Sequence, residues 1–433
     1  MILHRLIRRT ALTLYKHNKQ RGRQLSEESR RFFRKRKMTM KKRVKYLHTC
    51  LAAVLGLTLL AGCGQTEKVP EVRETVAPLT SYVTEEEWEA ADMGQEENNA
   101  AVAAVMKKAA NKEDITIACI GGSITQGTIS NGTADKEVGF KKSYVELFGR
   151  WWTDTFPETK INVINAGIGA TDSYLGVHRV DEDVLSYTPD LVLVEFSVND
   201  AGSNRARINY DNLVRKILLA DNHPAVMLLF MGQTNGSNAQ TSHALVGFQY
   251  GLPMISYCNV IQKMMDDGQY TAKELSGDTT HPSALGHAIT GELLWKYLNS
   301  VYENCDSYSE PAVFDKPAFT NEKYLHATIL PAEDVKVNEP FTVTCSSLGL
   351  EYRRTIDGNG GQFGVYVDGE YVGSINTDFS GGWGNYAAAE EIFSADETKE
   401  HVVEIKEMEG YEGKSCEILG ILVSELDYNP SFG

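Results

Sequence analysis

The chain has 433 residues, enough for two domains with a core each, far above the size that needs disulfide stapling. Its formal charge of −15 hides a split: residues 1–45 hold 17 Lys and Arg against 2 Asp and Glu, which leaves a net of −30 on the rest. So acidic a body repels nucleic acid and anionic lipid headgroups, and excludes both as electrostatic partners. The basic leader is not a nucleic-acid patch, because it reads as targeting sequence. Met40-Lys41-Lys42-Arg43-Val44-Lys45 is a basic n-region, and Leu47 to Leu60 is an apolar h-region too short to span a bilayer comfortably. Residues 1–39 lie upstream of this complete signal, the pattern of an over-extended start, with Met38 or Met40 the true one.

Leu60-Ala61-Gly62-Cys63 closes the signal, followed by polar Gly64-Gln65-Thr66. This tetrad resembles a bacterial lipobox, which implies a signal peptide over 40–63 and a diacylated Cys63 as the new N-terminus. The expectation is a lipid-anchored protein at the cell membrane, facing the extracellular side or the periplasm. Ser29-Arg30-Arg31-Phe32-Phe33-Arg34-Lys35 resembles a twin-arginine signal, but further cations separate it from the apolar region.

Residues 64–100 are polar and acidic (Thr84-Glu85-Glu86-Glu87, Gln95-Glu96-Glu97) and read as a linker. From Asn99 the grammar is strand and helix in alternation. Strands are expected at Ile115–Ile120, Ile161–Asn165, Leu191–Phe196, Val226–Met231 and Met254–Tyr257. Helices are expected at Ser143–Thr155, Tyr174–Ser186, Tyr210–Ala220, Gln240–Tyr250 and Ala284–Tyr302. Continuous apolar strands alternating with helices imply an α/β domain, here 101–305, with a parallel sheet covered on both faces. Sites in such sheets lie beyond the carboxyl ends of the strands.

Beyond Pro311 the period becomes two, at Val335-Lys336-Val337, Phe341–Thr344, His401–Ile405 and Ile418–Val423, with an Asp-Gly hairpin centred in Phe363–Val372. Residues 311–428 are therefore expected to be an all-β sandwich. Five cysteines follow Cys63, and none has metal-ligand spacing. Cys119 belongs to a buried strand, and a Cys345–Cys416 bridge is compatible with the sequence. No metal or cofactor is expected.

Four strand ends carry polar groups. The first strand runs into Gly121-Gly122-Ser123, where local pattern alone allows Ser123 as a helix cap or as a nucleophile. The second runs into Asn165-Ala166-Gly167-Ile168-Gly169-Ala170-Thr171-Asp172-Ser173, and the third into Ser197-Val198-Asn199-Asp200. After the fifth comes Asp278-Thr279-Thr280-His281-Pro282. Together, in order and over about Ile115 to Val301, these resemble the four blocks of the SGNH (GDSL-like) hydrolase superfamily. The resemblance implies a three-layer, flavodoxin-like domain and a serine esterase without a cofactor.

The chemistry is intelligible from the residue types. A serine hydroxyl needs a base, His281 can take its proton, and Asp278 on the same loop can orient the imidazole. The resemblance places oxyanion donors at the backbone N–H of Ser123, a backbone N–H of the second block, and the Asn199 side-chain amide. Within the second block the donor matches Ala170, serviceable at a negative φ, with Gly169 the alternative and a neighbour of the substrate. Asp200 reads as a strand-terminating turn residue, and His243 as surface or structural. Trp151-Trp152 reads as core. Trp383 and Tyr386, in the glycine-flanked loop Gly381–Tyr386, either stack on sugar or cover an end of the sandwich.

The expected substrate is a small acyl ester, acetyl on carbohydrate, for three reasons: the chain is exported, it carries a β domain, and no long apolar segment offers an acyl groove. Gly-Gly-Ser-Ile-Thr with Val194–Asp200 also resembles esterases of plant or cell-wall polysaccharides. A lipid-directed esterase or lysophospholipase, and a non-catalytic carbohydrate-binding surface lipoprotein, are the alternatives.

Overall fold

The computed structural model describes residues 81–94, 99–139 and 141–426. The segments expected from sequence to be an over-extended start, a signal peptide ending at Cys63 and a linker up to residue 80 lie outside the described residues. In chain order the first part holds α1 (Glu85–Ala91), α2 (Asn99–Ala110), β1 (Ile115–Gly121), α3 (Ser123–Gln126), α4 (Asp135–Val138) and α5 (Tyr144–Thr155). There follow β2 (Ile161–Gly167), α6 (Ser173–Asp183), β3 (Leu191–Glu195), α7 (Asn204–Leu218), β4 (Ala225–Phe230) and α8 (Gln240–Tyr250). The unit closes with β5 (Met254–Ser256), α9 (Tyr257–Asp266), α10 (Ala272–Leu275) and α11 (Ala284–Glu303).

The five strands are parallel, in the order β2-β1-β3-β4-β5. Successive side chains alternate between two cores, as strand geometry requires. Ile115, Ile117 and Cys119, with Leu191, Leu193, Met227 and Leu229, face the core built with α2, α5, α9 and α11. Ala118, Ile120, Val192, Val194, Val226 and Leu228 face the core built with α6, α7 and α8. The sheet is thus the middle of three layers. Its chain order reverses direction at β1 and β3, so the ends of those strands frame the crevice where α/β proteins place their sites. Trp151 and Trp152 are buried core, and Cys119 is a free, buried thiol that burial pushes up to about 12.

Part of the stretch read as linker is built into this domain. Thr84 and Glu87 form a capping box that starts α1, and Val83 and Ala91 are buried in the first core. The Ser81 hydroxyl and the Tyr82 N–H donate to the Glu292 carboxylate of α11, at 2.9 and 2.7 Å. Acidic composition here reflects a capped helix docked by its few apolar residues.

The second part is one antiparallel ladder, β6-β11-β7-β10-β8-β9, formed by β6 (Thr328–Leu330), β7 (Phe341–Arg354), β8 (Gln362–Val367), β9 (Glu370–Asn376), β10 (Tyr386–Glu407) and β11 (Ile418–Ser424). It makes a sandwich by folding over. Buried apolar residues of β7 are Val343 and Cys345, then Leu348, Leu350 and Tyr352, so the inward parity switches midway. The β10 register breaks opposite that point, between Ser394 and Lys399. Bulges of this kind bend a strand and increase its twist, and both halves then face one core. The hairpin turn is at Asp368 (φ 52°) and Gly369 (φ 86°), the positive pair that suits a two-residue hairpin. Val335-Lys336-Val337 is turn and coil rather than strand; Asn338 at φ 64° ends any extended run, and both valines simply pack on the β core. Cys345 and Cys416 are both free thiols, so the sandwich has no bridge between them.

The two parts share a core. Tyr324, Ala327 and Leu422 belong to the same buried cluster as Tyr174, Val177 and Leu213. The connecting segment is pinned to α7: the Thr320 N–H donates to Asp211 Oδ2 (2.7 Å), Asn212 Nδ2 to Asn321 O (2.8 Å), and Arg215 Nη1 to Lys316 O (2.7 Å). From β10, Glu391 accepts from Tyr324 Oη (2.7 Å) and Ser347 Oγ (2.9 Å), and pairs with Lys323 and with Arg205 at 3.6 Å.

Candidate active site

Ser123 is the first residue of α3, one past Gly122, which takes the N-cap place and makes no side-chain cap bond. The Ser123 hydroxyl therefore does not cap. It lies 2.8 Å from His281 Nε2, and His281 Nδ1 lies 2.7 Å from Asp278 Oδ2. Residues 158 and 155 positions apart in sequence are joined in one hydrogen-bonded chain because β1 and the segment before α11 end on the same edge of the sheet.

The loop that presents His281 is closed on itself. Asp278 Oδ1 accepts the backbone N–H of Thr280 (3.0 Å) and of His281 (2.7 Å). Burial alone would raise the Asp278 carboxyl, but these N–H groups and the imidazole hold it below its ordinary value. Thr279 takes φ 78° to make the turn. Two hydroxyls that sequence did not single out, Ser130 and Ser276, donate to His281 O at 2.5 and 2.7 Å. They set the backbone from which the imidazole projects. Thr279 O accepts the Thr234 N–H (3.0 Å), so the polar Gly232–Asn238 loop adjoins the catalytic loop.

Asn199 packs on Gly122, the residue before Ser123. A Cβ at position 122 would sit 2.8 Å from Asn199 Oδ1, so a glycine lets the amide come this close to the backbone at the end of β1. Asn199 is exposed, and none of the described side-chain hydrogen bonds uses its amide. Gly169 is also adjacent, since a Cβ there would be 3.7 Å from Ser123 Cβ and 2.9 Å from Gln126 Oε1. Ala170 has φ 62°, so the negative φ set as the condition for an alanine donor is not met. Alanine here holds a left-handed backbone that glycine adopts freely, at a cost of about 1–2 kcal/mol, and its N–H enters none of the described backbone hydrogen bonds. The Ile168 N–H donates to Gly121 O (3.1 Å), which ties this second-block loop to the end of β1.

Beneath Ser123 lies a buried polar set. Glu195, opposite Gly121 in the sheet, accepts from Thr125 Oγ1 (3.2 Å), and Thr125 Oγ1 is 2.7 Å from Tyr144 Oη. Burial pushes the Glu195 carboxyl up to about 7. Asp200 is likewise more than a turn residue. Its N–H makes the turn, to Phe196 O (3.0 Å), but its carboxylate is buried against His243. No short spacing links Asp200 to His243, or Glu195 to Tyr144, and sequence offered no signal for either. His287 is buried and neutral, accepting the Tyr144 N–H and lying 3.1 Å from Thr128 O; burial pushes it down to about 4.

Trp383 and Tyr386 are brought to each other and not to Ser123. Their rings stack at 5.1 Å, with Phe379 edge-on to both and the Arg354 guanidinium over Phe379 and Tyr386. Trp383 is 69% exposed, whereas Tyr386 is half-buried against the β core, so the inner ring of the pair helps cover the sandwich and the outer one faces solvent.

Residues 119–289 match the GDSL-like Lipase/Acylhydrolase family. No curated protein matches the chain. Among solved structures, a two-domain esterase active on acetylated mannans, co-crystallized with mannopentaose, is similar at 26% identity and a TM-score of 0.68; the match covers 79% of this chain and 99% of that one. A second structure, also described as a two-domain esterase active on acetylated mannans, matches at 27% identity, a TM-score of 0.68 and the same coverage. The likeness extends over both sheets. With the family's blocks folded to a single strand edge and both domains matched, the protein is a serine carboxylic ester hydrolase with an SGNH-type catalytic domain.

Proposed function

We propose that the protein removes acetyl groups from carbohydrate by a Ser123–His281–Asp278 mechanism. The unbroken hydrogen-bond chain at 2.8 and 2.7 Å carries the reading. Ser123 Oγ adds to the acyl carbon while its proton passes to His281 Nε2, and Asp278 keeps the imidazole oriented through Nδ1. The N–H groups of Ser123 and Ala170 and the Asn199 amide stabilise the tetrahedral oxyanion, a reading supported by Asn199 packing on Gly122 and by Gly169, the neighbour of Ala170, abutting Ser123. His281 returns the proton to the departing sugar oxygen. Water then enters by the same steps in reverse, and acetate leaves.

Likeness to esterases active on acetylated mannans supports the acetyl-carbohydrate assignment. The polar Gly232–Asn238 loop beside the catalytic loop supports it too, offering amides and hydroxyls rather than an acyl groove. The exposed Trp383–Tyr386 stack supports a polymer contact on the β domain. The basic, apolar and Leu-Ala-Gly-Cys63 sequence supports tethering to a membrane through lipid on Cys63.

A chain-length series tests the substrate class. Burying each methylene is worth roughly 0.8 kcal/mol, so an enzyme with an acyl groove speeds up as the acyl chain grows. The expected order of kcat/KM is acetate above butyrate above octanoate esters, with acetate released from acetylated mannan. Faster cleavage of octanoate overturns the carbohydrate assignment and promotes the lipid-directed alternative.

A further inference from the structure

A second Asp–His pair lies behind the proposed oxyanion donors. Asp200 Oδ2 is 2.9 Å from His243 Nε2, and Asp200 Oδ1 accepts the Ser173 backbone N–H at 2.9 Å. The three contributing elements are distant in sequence: Asp200 follows Asn199 after β3, Ser173 opens α6 just past the Gly169–Thr171 loop, and His243 comes from α8. The side chains of Asp200 and His243 are 1% and 0% exposed, so neither can meet substrate. Tyr210 stacks on the His243 ring at 3.6 Å and an interplanar angle of 2°, which fixes the plane of the imidazole. His243 Nδ1 makes no hydrogen bond within the protein, which puts the proton on Nε2, where it donates to Asp200.

Asp200 therefore joins the two loops that supply the donors flanking Ser123. One loop is anchored to β1 at its start, through the Ile168 N–H to Gly121 O, and to Asp200 at its end, through the Ser173 N–H. The other passes directly from Asn199, beside Gly122, into Asp200. We infer that Asp200, held by His243, is a positioning residue that sets the separation of the Ala170 N–H and the Asn199 amide across the oxyanion pocket. The inference rests on the proposed function above, and deepens it. A displacement of about 1 Å in such donors costs on the order of 10²-fold in rate. Because the donors act on charge that develops during the reaction, the loss falls on kcat rather than KM.

The test is a double-mutant cycle on p-nitrophenyl acetate with Asn199→Ala as the partner. Asp200→Ala and His243→Leu are expected to lower kcat about 10- to 100-fold with KM within about twofold. His243→Gln, whose amide N–H can take the Nε2 place, should recover most of the rate. In the Asn199→Ala background the Asp200→Ala loss should shrink to the part that comes from the Ala170 N–H, because the amide it also positions is gone. Full additivity, an unchanged kcat in folded variants, or a loss confined to KM each overturns the inference and leaves Ser123, His281 and Asn199 in place. Asn199→Ala at wild-type rate overturns the oxyanion reading itself, and this inference with it. If Asp200→Ala does not fold, Asp200→Asn, which keeps the shape and the acceptor for Ser173, carries the same cycle with a smaller expected loss.

Discussion

Asp278–His281 and Asp200–His243 are the same two side chains at nearly the same distance, 2.7 and 2.9 Å. Solvent separates them. The Asp278 and His281 side chains are 50% and 24% exposed, against 1% and 0% for the other pair. In the exposed pair the carboxylate is held ionised by two loop N–H groups, and the imidazole keeps one nitrogen free to reach Ser123. In the buried pair the second carboxylate oxygen is spent on the Ser173 N–H, and the second imidazole nitrogen faces the core. A group that moves protons needs one face toward the reaction; a group that holds loops needs none. The pairing itself says nothing about role.

The sharpest way to break this comparison is to remove each imidazole. His281→Ala, like Ser123→Ala, is expected to lower kcat for acetyl ester hydrolysis by on the order of 10³-fold or more without unfolding the protein. That exceeds the 10- to 100-fold expected for His243→Leu. Asp278→Asn should fall between them, because it removes orientation while the base remains. Steady-state kinetics with thermal unfolding on the same samples checks all three. A His281→Ala enzyme at wild-type rate would end the assignment of the exposed pair to catalysis.

The contrast also explains what could be read from sequence. Asp278 and His281 are three residues apart on one loop, so their relation is a local pattern. Asp200 and His243 are 43 residues apart, and only the packing of α8 against α7 and β5 brings them together. The parallel sheet was legible because each strand is a short apolar run with helix on either side. The β sandwich was legible in part. Tyr386-Ala387-Ala388-Ala389-Glu390-Glu391 carries no period of two, and its strand character comes from pairing with the later half of β7. The 81–94 segment was hidden for the opposite reason: its acidic run, Glu85 to Glu87 and Glu89, masks the apolar residues that dock it, Val83 and Ala91 with Tyr82 and Trp88 beside them. Nothing in the composition of 311–428 announced that Leu422 would complete a core begun by Tyr174 and Leu213.

Burial versus exposure has a second consequence, in stability against pH. Burial raises the Glu195 carboxyl from 4.5 to about 7. The folded state then binds the proton more tightly than the unfolded state, so stability falls as pH rises from about 4.5 to about 7. Asp172, raised to about 6 by burial and then by the charge of Asp200, acts in the same direction. His178 and His287, lowered to about 4 by burial, act oppositely, losing stability as pH falls from 6.5 toward 4. The difference between wild type and Glu195→Gln isolates one group from this sum. Relative to wild type, the variant should gain on the order of 1–3 kcal/mol between pH 4.5 and 8, read from urea midpoints at constant m-value. A difference that is flat with pH would place Glu195 in solvent contact. The exposed Asp278, lowered rather than raised, contributes with the opposite sign: the stability it supplies is present above its unfolded value and lost as pH falls through its folded one.

The smallest effect lies in the loop that the buried pair anchors. Ala170 stands between Gly169, which abuts Ser123, and Asp172, which caps α6 through the Leu175 N–H. Its φ of 62° brings Cβ toward the carbonyl oxygen, a conformation costing about 1–2 kcal/mol for alanine and almost nothing for glycine. Against this, glycine makes the unfolded chain more flexible, by roughly 0.4–1 kcal/mol. Ala170→Gly should therefore raise unfolding free energy by about 1 kcal/mol or less. The group proposed to meet the oxyanion is a backbone N–H, which both residues possess, so kcat should stay within about twofold of wild type. If Asp200 and His243 hold the loop, the folded state keeps one conformation with either residue, and the change in stability is strain relief less the unfolded-chain term. A fall in stability would show that Ala170 is unstrained. A large fall in kcat, with stability unchanged or raised, would show that the alanine methyl, and not the buried pair, keeps the donor in place.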